Sequence, residues 1–336
     1  ILQDKETLAA LRKAVVEGQP PLRRAAAGSL GRLKDLGAVS ALLTASSADN
    51  DRFVEHAITY ALIEINDPDA LLKALDDVNL AARKAAIIAL DQLKSDKLTA
   101  DHAIAFLNSD SEDLRKTGLW VASRHPEWSG SVLALLEEKV TAADFAPETA
   151  GGIREVILAY AQDPNVQAFM ARVAGDDAAP APRRLFMLET IEKTALNPLP
   201  EGMVLSVGKS LQAGDASLRY RAATLIASRS IAVFDEQLFA LADNAGETSA
   251  LRLSALGTAL TRKPELNESR YAFLLENLGE KIDPAQRLSA GKVIGGAKLT
   301  NDQLRVLAEQ YLPNADALTY PALLDAFKNG GDDAVG

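Results

Sequence analysis

The sequence predicts an all-α fold, a right-handed α-α superhelix (solenoid) of about nine helical hairpins. Composition is the first indication, because 48% of the 336 residues are hydrophobic but only 5% are aromatic, which favours helices packed closely through Ala, Leu and Val. Hydrophobic residues also recur at helical spacing between breaks that contain Gly or Pro. Finally, one short pattern returns along the chain at intervals of 28 to 39 residues.

Residues 21–33 show this pattern in full as PLRRAAAGSLGRL, with Leu22, Ala26 and Leu30 on one helix face. A second apolar stripe at 39–43 supplies the partner helix, so the two segments form a hairpin. Further first helices are predicted at 54–62, 82–90, 114–122, 153–161, 182–190, 218–226, 251–259 and 286–294. Residues 1–336 are therefore expected to form a single solenoid, in which residues 1–20 are the remnant of a preceding repeat.

One position is shared by the nine first helices, and an arginine occupies it in eight of them. The residues are Arg23, Glu55, Arg83, Arg115, Arg154, Arg183, Arg219, Arg252 and Arg287. A hairpin that recurs about every thirty residues, with arginine after an apolar residue and small residues following, resembles HEAT-type repeats. The resemblance covers nearly the whole chain and implies a HEAT-like array in which each hairpin buries its stripe against its neighbours.

The arginine row has two interpretations. Acidic residues precede many of the arginines, for example Asp51, Asp110 and Asp215, so the favoured interpretation is a structural ladder of Asp/Arg contacts between neighbouring hairpins. The alternative is a row of ligands for phosphate or carboxylate groups.

The longest interval of the repeat contains HPEWSG and TAADFAPETAGG. Proline and glycine predict a long loop there, or a bend between two half-solenoids, near residues 141–152. Both a plain surface loop and a partner site remain open for this stretch.

Four residues are candidate contacts for a partner. Glu55 and His56 lie in the one hairpin that lacks the arginine, where they either contact a neighbouring domain or substitute locally for the ladder. Trp120 and Trp128 flank the turn of the fourth hairpin. They either fill the core or form an exposed aromatic anchor.

No catalytic, cofactor or metal site is predicted. The chain has no cysteine, and its three histidines, His56, His102 and His125, lie in different repeats without the spacing of a metal site or a catalytic triad. The glycine pairs at 151–152 and 295–296 lack the lysine of a phosphate-binding loop.

Charge and hydropathy exclude further classes. The net charge of −10 repels phosphate backbones, so nucleic acid is not an expected partner, and a HEAT-like DNA glycosylase or lyase would need a cationic groove that the second helices do not supply. The longest run without a charged residue, 36–48, is well short of the roughly 20 apolar residues of a membrane span, so no membrane insertion is expected.

A closer resemblance concerns DNDRFVEHAITYALIEINDPDALLKAL at 49–75 and YPALLDAFKNGGDDAVG at 320–336. These stretches are similar to the helical region of large haem-binding multidomain proteins of planctomycetes, of the membrane-bound-dehydrogenase type. In that family a sugar-dehydrogenase-like β-propeller precedes the helical repeats, and a cytochrome c domain with Cys-x-x-Cys-His follows. The resemblance implies a spacer or docking solenoid of an extracytoplasmic or periplasmic redox protein, and it carries no active-site residue onto this chain.

The sequence therefore predicts a non-catalytic scaffold without cofactors. Its expected partner is another protein or a neighbouring domain of the same polypeptide, and the chain is expected to be a fragment of a larger protein. A spacer within a redox enzyme is the alternative, and the compartment is assigned only by the family resemblance.

Overall fold

A computed structural model describes residues 4–47 and 49–331, and these contain 20 α-helices. They are α1 (Lys5–Glu17), α2 (Pro20–Leu33), α3 (Val39–Ala45), α4 (Arg52–Ile65), α5 (Pro68–Ala74), α6 (Leu80–Gln92), α7 (Ala100–Leu107), α8 (Glu112–Ala122), α9 (Ser129–Thr141), α10 (Gly151–Ala159), α11 (Pro164–Ala174), α12 (Ala181–Lys193), α13 (Glu201–Leu211), α14 (Ala216–Ser228), α15 (Asp235–Asp243), α16 (Ser249–Leu260), α17 (Glu268–Glu276), α18 (Pro284–Gly296), α19 (Asn301–Val306) and α20 (Tyr320–Asn329).

The predicted all-α solenoid class is confirmed. Nine hairpins run from α2/α3 to α18/α19, with α1 before them and α20 after them in the described chain. Successive first helices pack on one another, for example α2 on α4 and α14 on α16, and each second helix packs on the first helix that follows it, as α7 does on α8. Within each unit, this arrangement buries the apolar stripe of a hairpin against its neighbours.

The chain divides into two compact units. Unit 1 comprises Ile1–Ala142 with Gly151–Asp163, and unit 2 comprises Ala143–Ala150 with Pro164–Gly336. In unit 1, α1 packs against α2 and α3 as a second helix would. The sequence-based division into one solenoid, with a bend near 141–152 and a remnant at 1–20, stays a prediction.

Helix starts follow from local chemistry. The carboxylate of Asp51 accepts hydrogen bonds from the backbone N–H groups of Phe53 and Val54 at the start of α4. Asp215 caps α14 in the same way, and the amide oxygen of Asn79 caps α6. These caps satisfy backbone donors that have no partner within the helix.

Small residues let the helices approach closely, as the low aromatic content predicts. A Cβ on Gly118 would lie 2.8 Å from the Cβ of Phe106, where α8 crosses α7. A Cβ on Gly295 would clash with the carbonyl oxygen of Ala322, where α18 crosses α20. Glycine is therefore needed at these two crossings because the neighbouring helix occupies the space.

Candidate protein-interaction surface

The recurring arginines lie near the start of the first helices, as the fourth residue of each, and Arg23 of α2 shows the arrangement. Its Nε donates to the carbonyl oxygen of Val15 in α1 (3.0 Å), and its Nη2 donates to the carbonyl oxygen of Ala45 at the end of α3. Its Nη1 donates to Oδ1 of Asn50 (2.7 Å). The guanidinium therefore joins the ends of two successive second helices, where carbonyl groups lack partners within their helix.

Two arginines of unit 2 bind a carbonyl group ten residues earlier in the chain. Nε of Arg184 in α12 donates to the carbonyl oxygen of Ala174 (3.0 Å), and Nε of Arg252 in α16 donates to that of Ala242 (2.7 Å). Arg184 is only 4% exposed, and its Nη2 also donates to Oγ of Ser210 in α13 (3.4 Å). The partial negative charge at a helix C-terminus favours a cation at this place.

The other arginines of the row have related positions. Nη1 of Arg115 donates to two carbonyl oxygens of the preceding linker, at 2.7 and 2.8 Å, and Nη1 of Arg219 does the same at 2.6 and 2.8 Å. Arg287 makes one such bond, of 2.9 Å. Arg83 lies over an aromatic ring of α7, with its Cζ 5.2 Å from the ring centroid, and Arg154 is the fourth residue of α10.

The structure corrects the alignment of the sixth hairpin, in which the repeat pattern selects Arg183. Because α12 begins at Ala181, its fourth residue is Arg184. Arg183 instead lies over the ring of Phe145, with its Cζ 6.0 Å from the centroid. Two consecutive arginines match the sequence pattern equally well, and only the start of the helix distinguishes them.

Main-chain oxygens are prominent partners of this row, beside a smaller set of carboxylates. Ion pairs of the row include Arg184–Asp177 at 3.0 Å, Arg219–Glu247 at 2.7 Å and Arg287–Asp316 at 3.2 Å. Asp51 and Asp215, which the ladder interpretation pairs with arginines, instead cap their own helices. Arg115 binds the backbone carbonyl of Asp110.

A second row of arginines, which the repeat pattern does not single out, lies just after three first helices. Arg124 and Arg262 each donate from Nε to a buried carboxylate of the preceding hairpin, Asp91 at 3.0 Å and Asp235 at 2.8 Å. Arg229 donates to one carbonyl oxygen at the end of α12 and to two in the linker that follows it. A basic residue nine or ten positions after the first-row arginine is the sequence signal for this row.

Helix α4 is the exception in the first row, because its fourth residue is Glu55. The carboxylate pairs with Nζ of Lys84 in α6 (2.9 Å), and the same Nζ pairs with Asp113 of α8 (3.1 Å). Burial lowers the pKa of Lys84, but the hydrogen bonds to Glu55 and Asp113 more than offset this effect, so the pKa is raised. One lysine thus links three consecutive first helices on their solvent-facing side.

Four ring-bearing side chains on this side of unit 1 form what we call the aromatic face: Phe53, His56 and Tyr60 of α4 and Trp120 of α8. All are exposed, Phe53 by 53%, Tyr60 by 51% and Trp120 by 42%. The rings of His56 and Tyr60 are parallel, with centroids 6.2 Å apart. Tyr60 and Trp120 are both the ninth residue of their helices, and half-buried Ile88 is the ninth residue of α6 between them.

Trp128 differs from Trp120 in being half-buried. Its ring stacks on His125, with centroids 3.8 Å apart. The imidazole lies between two carboxylates, with Nε2 3.0 Å from Oδ1 of Asp91 and Nδ1 2.6 Å from Oε1 of Glu127. The hydrogen bond with His125 lowers the pKa of Glu127. Trp128 therefore belongs to a polar cluster at the turn after α8.

The buried carboxylate of Asp91 connects the two tryptophans. It binds His125, on which Trp128 stacks, and Arg124, whose Cζ lies 5.0 Å from the centroid of Trp120. The two candidate residues are thus brought into one contact network, but Trp120 is exposed whereas Trp128 is half-buried.

Open grooves lie between successive second helices within each unit. A groove of about 600 Å³ between α3 and α5 is lined by Leu43, Lys73 and Asp77, among others. A second groove, of about 700 Å³, lies between α11 and α13 and is lined by Leu205 and Lys209, among others. Both grooves hold acidic as well as basic side chains, so their lining does not favour one sign of charge.

Residues 4–47 and 49–331 contain neither a candidate metal site nor a candidate membrane-spanning helix. Within those ranges no three His, Asp or Glu side chains are grouped so that they could hold a metal ion. No helix in the same ranges combines the length and the apolar character that crossing a bilayer requires.

Comparison with known proteins gives one family match. The family described as HEAT repeats matches residues 2–63, which extend from the start of the chain into α4. This agrees with the repeated hairpins of the fold. No curated protein matches the chain.

Solved structures of other helical proteins are similar at low identity. Human deoxyhypusine hydroxylase in complex with glycerol is 16% identical with a TM-score of 0.30, over 87% of this chain and 96% of that chain. The karyopherin Kap121p, bound to the extreme C-terminus of the protein phosphatase Cdc14p, is 10% identical with a TM-score of 0.47, over 95% of this chain and 49% of that chain. Importin beta is 15% identical with a TM-score of 0.38, over 97% of this chain and 47% of that chain.

The chain thus spans about half the length of the karyopherin and importin chains. With every TM-score below 0.5, no functional statement about this chain follows from these structures. None of the matches described above is a haem-binding multidomain protein, so the resemblance of residues 49–75 to that family stays a prediction, as do the absence of a nucleic-acid partner and the compartment.

Proposed function

We propose that the chain is a non-catalytic helical-repeat scaffold that binds another protein, or a neighbouring domain of the same polypeptide, through the aromatic face. The observation that carries the proposal is the exposure of Phe53 and Tyr60 on α4 and of Trp120 on α8, two first helices of unit 1 that are separated by α6. Large aromatic side chains supply much of the binding energy at protein interfaces, and leaving them in water forgoes that energy. Glu55 and His56 extend the same surface, and Trp128 supports it through the network of Asp91.

The first-row arginines have a different role in this proposal. The guanidinium groups of Arg23, Arg184 and Arg252 are engaged with carbonyl oxygens at the ends of second helices. We infer that they fix the register between hairpins, because an anion ligand would have to displace these bonds. Their occupied donors support the structural interpretation of the row over the anion-binding one.

The proposed surface is tested by site-specific photo-crosslinking in the cells that produce the protein. A benzophenone amino acid replaces Tyr60 in one variant and Tyr220 in another. Tyr220 is the matched control, because it is 48% exposed on the first helix α14 of unit 2. We expect a discrete crosslinked protein from position 60 and none from position 220.

The crosslinked protein is then purified and its Kd for the full chain is measured. Tyr60→Ala is expected to weaken binding by about tenfold or more, as for an aromatic residue at the centre of an interface, whereas Tyr220→Ala leaves it within about twofold. Equal crosslinking from both positions, or a Kd insensitive to Tyr60→Ala, would show that the aromatic face is not the binding surface.

A further inference from the structure

We propose that the partner presents an acidic amphipathic helix, which lies across the first helices of unit 1. This inference rests on the proposed function and names the chemistry of the partner that binds the aromatic face. It is drawn from a row of basic side chains beside that face.

The row consists of the fifth residue of four successive first helices in unit 1. These residues are Arg24 of α2, His56 of α4, Lys84 of α6 and Lys116 of α8. In unit 2 the fifth residues of α12, α14, α16 and α18 are Leu185, Tyr220, Leu253 and Leu288. The basic row therefore belongs to α2, α4, α6 and α8 of unit 1 and ends at α10, whose fifth residue is Glu155. The net charge of the chain is −10.

The acidic groups that face the row occupy only part of it. Lys84 is held by Glu55 and Asp113, and Lys116 pairs with Glu112 in an exposed contact of 2.6 Å. The negative charge of Glu155 also acts on Lys116. The exposed pair of Lys116 with Glu112 contributes little, so a partner carboxylate competes with Glu112 at small cost.

The α2 end of the row is more basic. Helix α2 contains three arginines and no acidic residue, and Arg24 and Arg32 are both exposed on it. The described residues include no ion pair to Arg24. The solvent-facing side of α2 and α4 thus offers cations next to aromatic rings, which complements carboxylates next to apolar side chains.

The spacing of the basic row favours a partner segment that is helical over one that is extended. Neighbouring packed helices lie roughly 8–10 Å apart, so the basic side chains repeat at about that distance. Acidic residues seven apart on a helix share one face and are separated by about 10.5 Å. Side chains on one face of an extended strand repeat at about 6.6 or 13 Å instead.

The ninth residues of the first helices, which include Tyr60 of α4 and Trp120 of α8, form a second row beside the basic row. The ninth residue of each first helix lies about one turn, roughly 6 Å, from the fifth. A partner helix with acidic residues at i, i+7 and i+14 could carry apolar residues at i+4, i+11 and i+18 beside these ninth residues. Because α6 lies between α4 and α8, Tyr60 and Trp120 would contact the apolar residues at i+4 and i+18, and the basic row would contact the acidic residues.

The test uses a displayed library of random twenty-residue peptides, selected on the full-length wild-type chain. We expect the enriched sequences to carry Asp or Glu at a spacing of seven residues, with Leu, Ile or Phe four residues after each acid. Enrichment of neutral or basic peptides, or no enrichment, would overturn the proposal. Equal binding of a twenty-nucleotide single-stranded DNA would also overturn it, because the surface would then serve nucleic acid.

The Kd of the best peptide is then measured by fluorescence anisotropy at low and high salt. The double variant Arg24→Glu/Lys116→Glu is expected to weaken binding by about tenfold or more and to reduce its dependence on salt. Lys328→Glu is the matched control, since Lys328 of unit 2 is as exposed and also pairs within its own helix, with Asp325. We expect the control to stay within about twofold of wild type.

Failure of this inference can be distinguished from failure of the proposed function. If the protein crosslinked from position 60 binds equally well to the double variant, the aromatic face binds a partner whose chemistry is not acidic. If position 60 yields no crosslinked protein beyond that of position 220, the proposed function itself fails.

Discussion

Helices α12 and α4 occupy the same place in their hairpins but fill the fourth position differently. In α12, Arg184 is buried and donates to the carbonyl oxygen of Ala174, ten residues earlier. In α4 the corresponding carbonyl is that of Ala45, and it already accepts hydrogen bonds from Nδ2 of Asn50 (3.0 Å) and from the arginine of α2. The fourth residue there is Glu55, which points to solvent and pairs with a lysine of α6.

The difference indicates that the preceding second helix, rather than the first helix itself, sets the need for arginine. A carbonyl group at a helix end is costly to leave without a donor. Where Asn50 supplies that donor, the fourth residue need not be an arginine that points into the interior. A carboxylate can then occupy this position, where the helix N-terminus favours a negative charge. In α4 this release coincides with the exposed rings of the aromatic face.

The largest expected effect comes from removing the buried guanidinium. Arg184→Ala should lower the free energy of unfolding by about 2–4 kcal/mol, because a buried guanidinium is removed and the carbonyl of Ala174 keeps only the hydroxyl of Ser210 (3.3 Å) as a side-chain donor. Urea denaturation of the variant measures the loss. The control Arg305→Ala, at an exposed pair with Asp302, should change stability by less than about 0.5 kcal/mol. Equal losses of stability for the two variants would show that buried Arg184 stabilises the fold no more than an exposed arginine does.

A double-mutant cycle at α4 tests the compensation directly. Asn50→Ala should cost about 1–2 kcal/mol, because it removes a donor to Ala45 and an acceptor for Arg23. Glu55→Arg should change the stability of the wild type by less than about 0.5 kcal/mol, because the carbonyl is already satisfied. In the Asn50→Ala background the new guanidinium should restore part of the loss. Additive effects in the cycle would contradict the proposed compensation.

A tyrosine provides a third way of satisfying a helix end. The hydroxyl of Tyr160 donates to the carbonyl oxygen of Ala122 at the end of α8 (2.6 Å). Burial, and secondarily the charge of Glu127, raises the pKa of Tyr160 from 10.0 to about 12. Because the folded-state pKa is raised, the stabilisation is complete below pH 10 and is lost as the pH rises through about 12.

Tyr160→Phe should therefore cost about 1 kcal/mol at pH 7 and remove part of the stability loss between pH 10 and 12. Denaturation curves of the variant and the wild type across this range measure both effects. An unchanged pH dependence would assign the alkaline loss to other groups.

The smallest effect is expected at the exposed carboxylate of α4. Glu55→Gln should lower stability by less than about 0.5 kcal/mol, because the carboxylate is solvent-accessible, a glutamine can still accept a hydrogen bond from half-buried Lys84, and Asp113 remains as a partner. Thermal melting at low and high salt measures the change. A loss comparable to that of Arg184→Ala would mean that Glu55 is as structural as the arginines.

The helices and their repetition can be predicted from the amino-acid sequence, because apolar periodicity, caps and breaks are local properties of the chain. The sequence also located the recurring arginines, except at residues 183–184. There the choice depends on where α12 begins, and two adjacent arginines leave that start undetermined without the packing.

The partners of the arginines and the exposure of the candidate residues depend on packing between hairpins, which local sequence patterns do not reveal. Every residue has a carbonyl oxygen, so a guanidinium that binds carbonyl oxygens produces no recognisable pattern of partner residues in the sequence. An Asp/Arg ladder would produce such a pattern, because its acidic residues would recur with the arginines. Likewise, the sequence does not show which of the two tryptophans, Trp120 or Trp128, is exposed. Their different exposure follows from the buried carboxylate of Asp91, which holds His125 against the ring of Trp128 and leaves Trp120 at the surface.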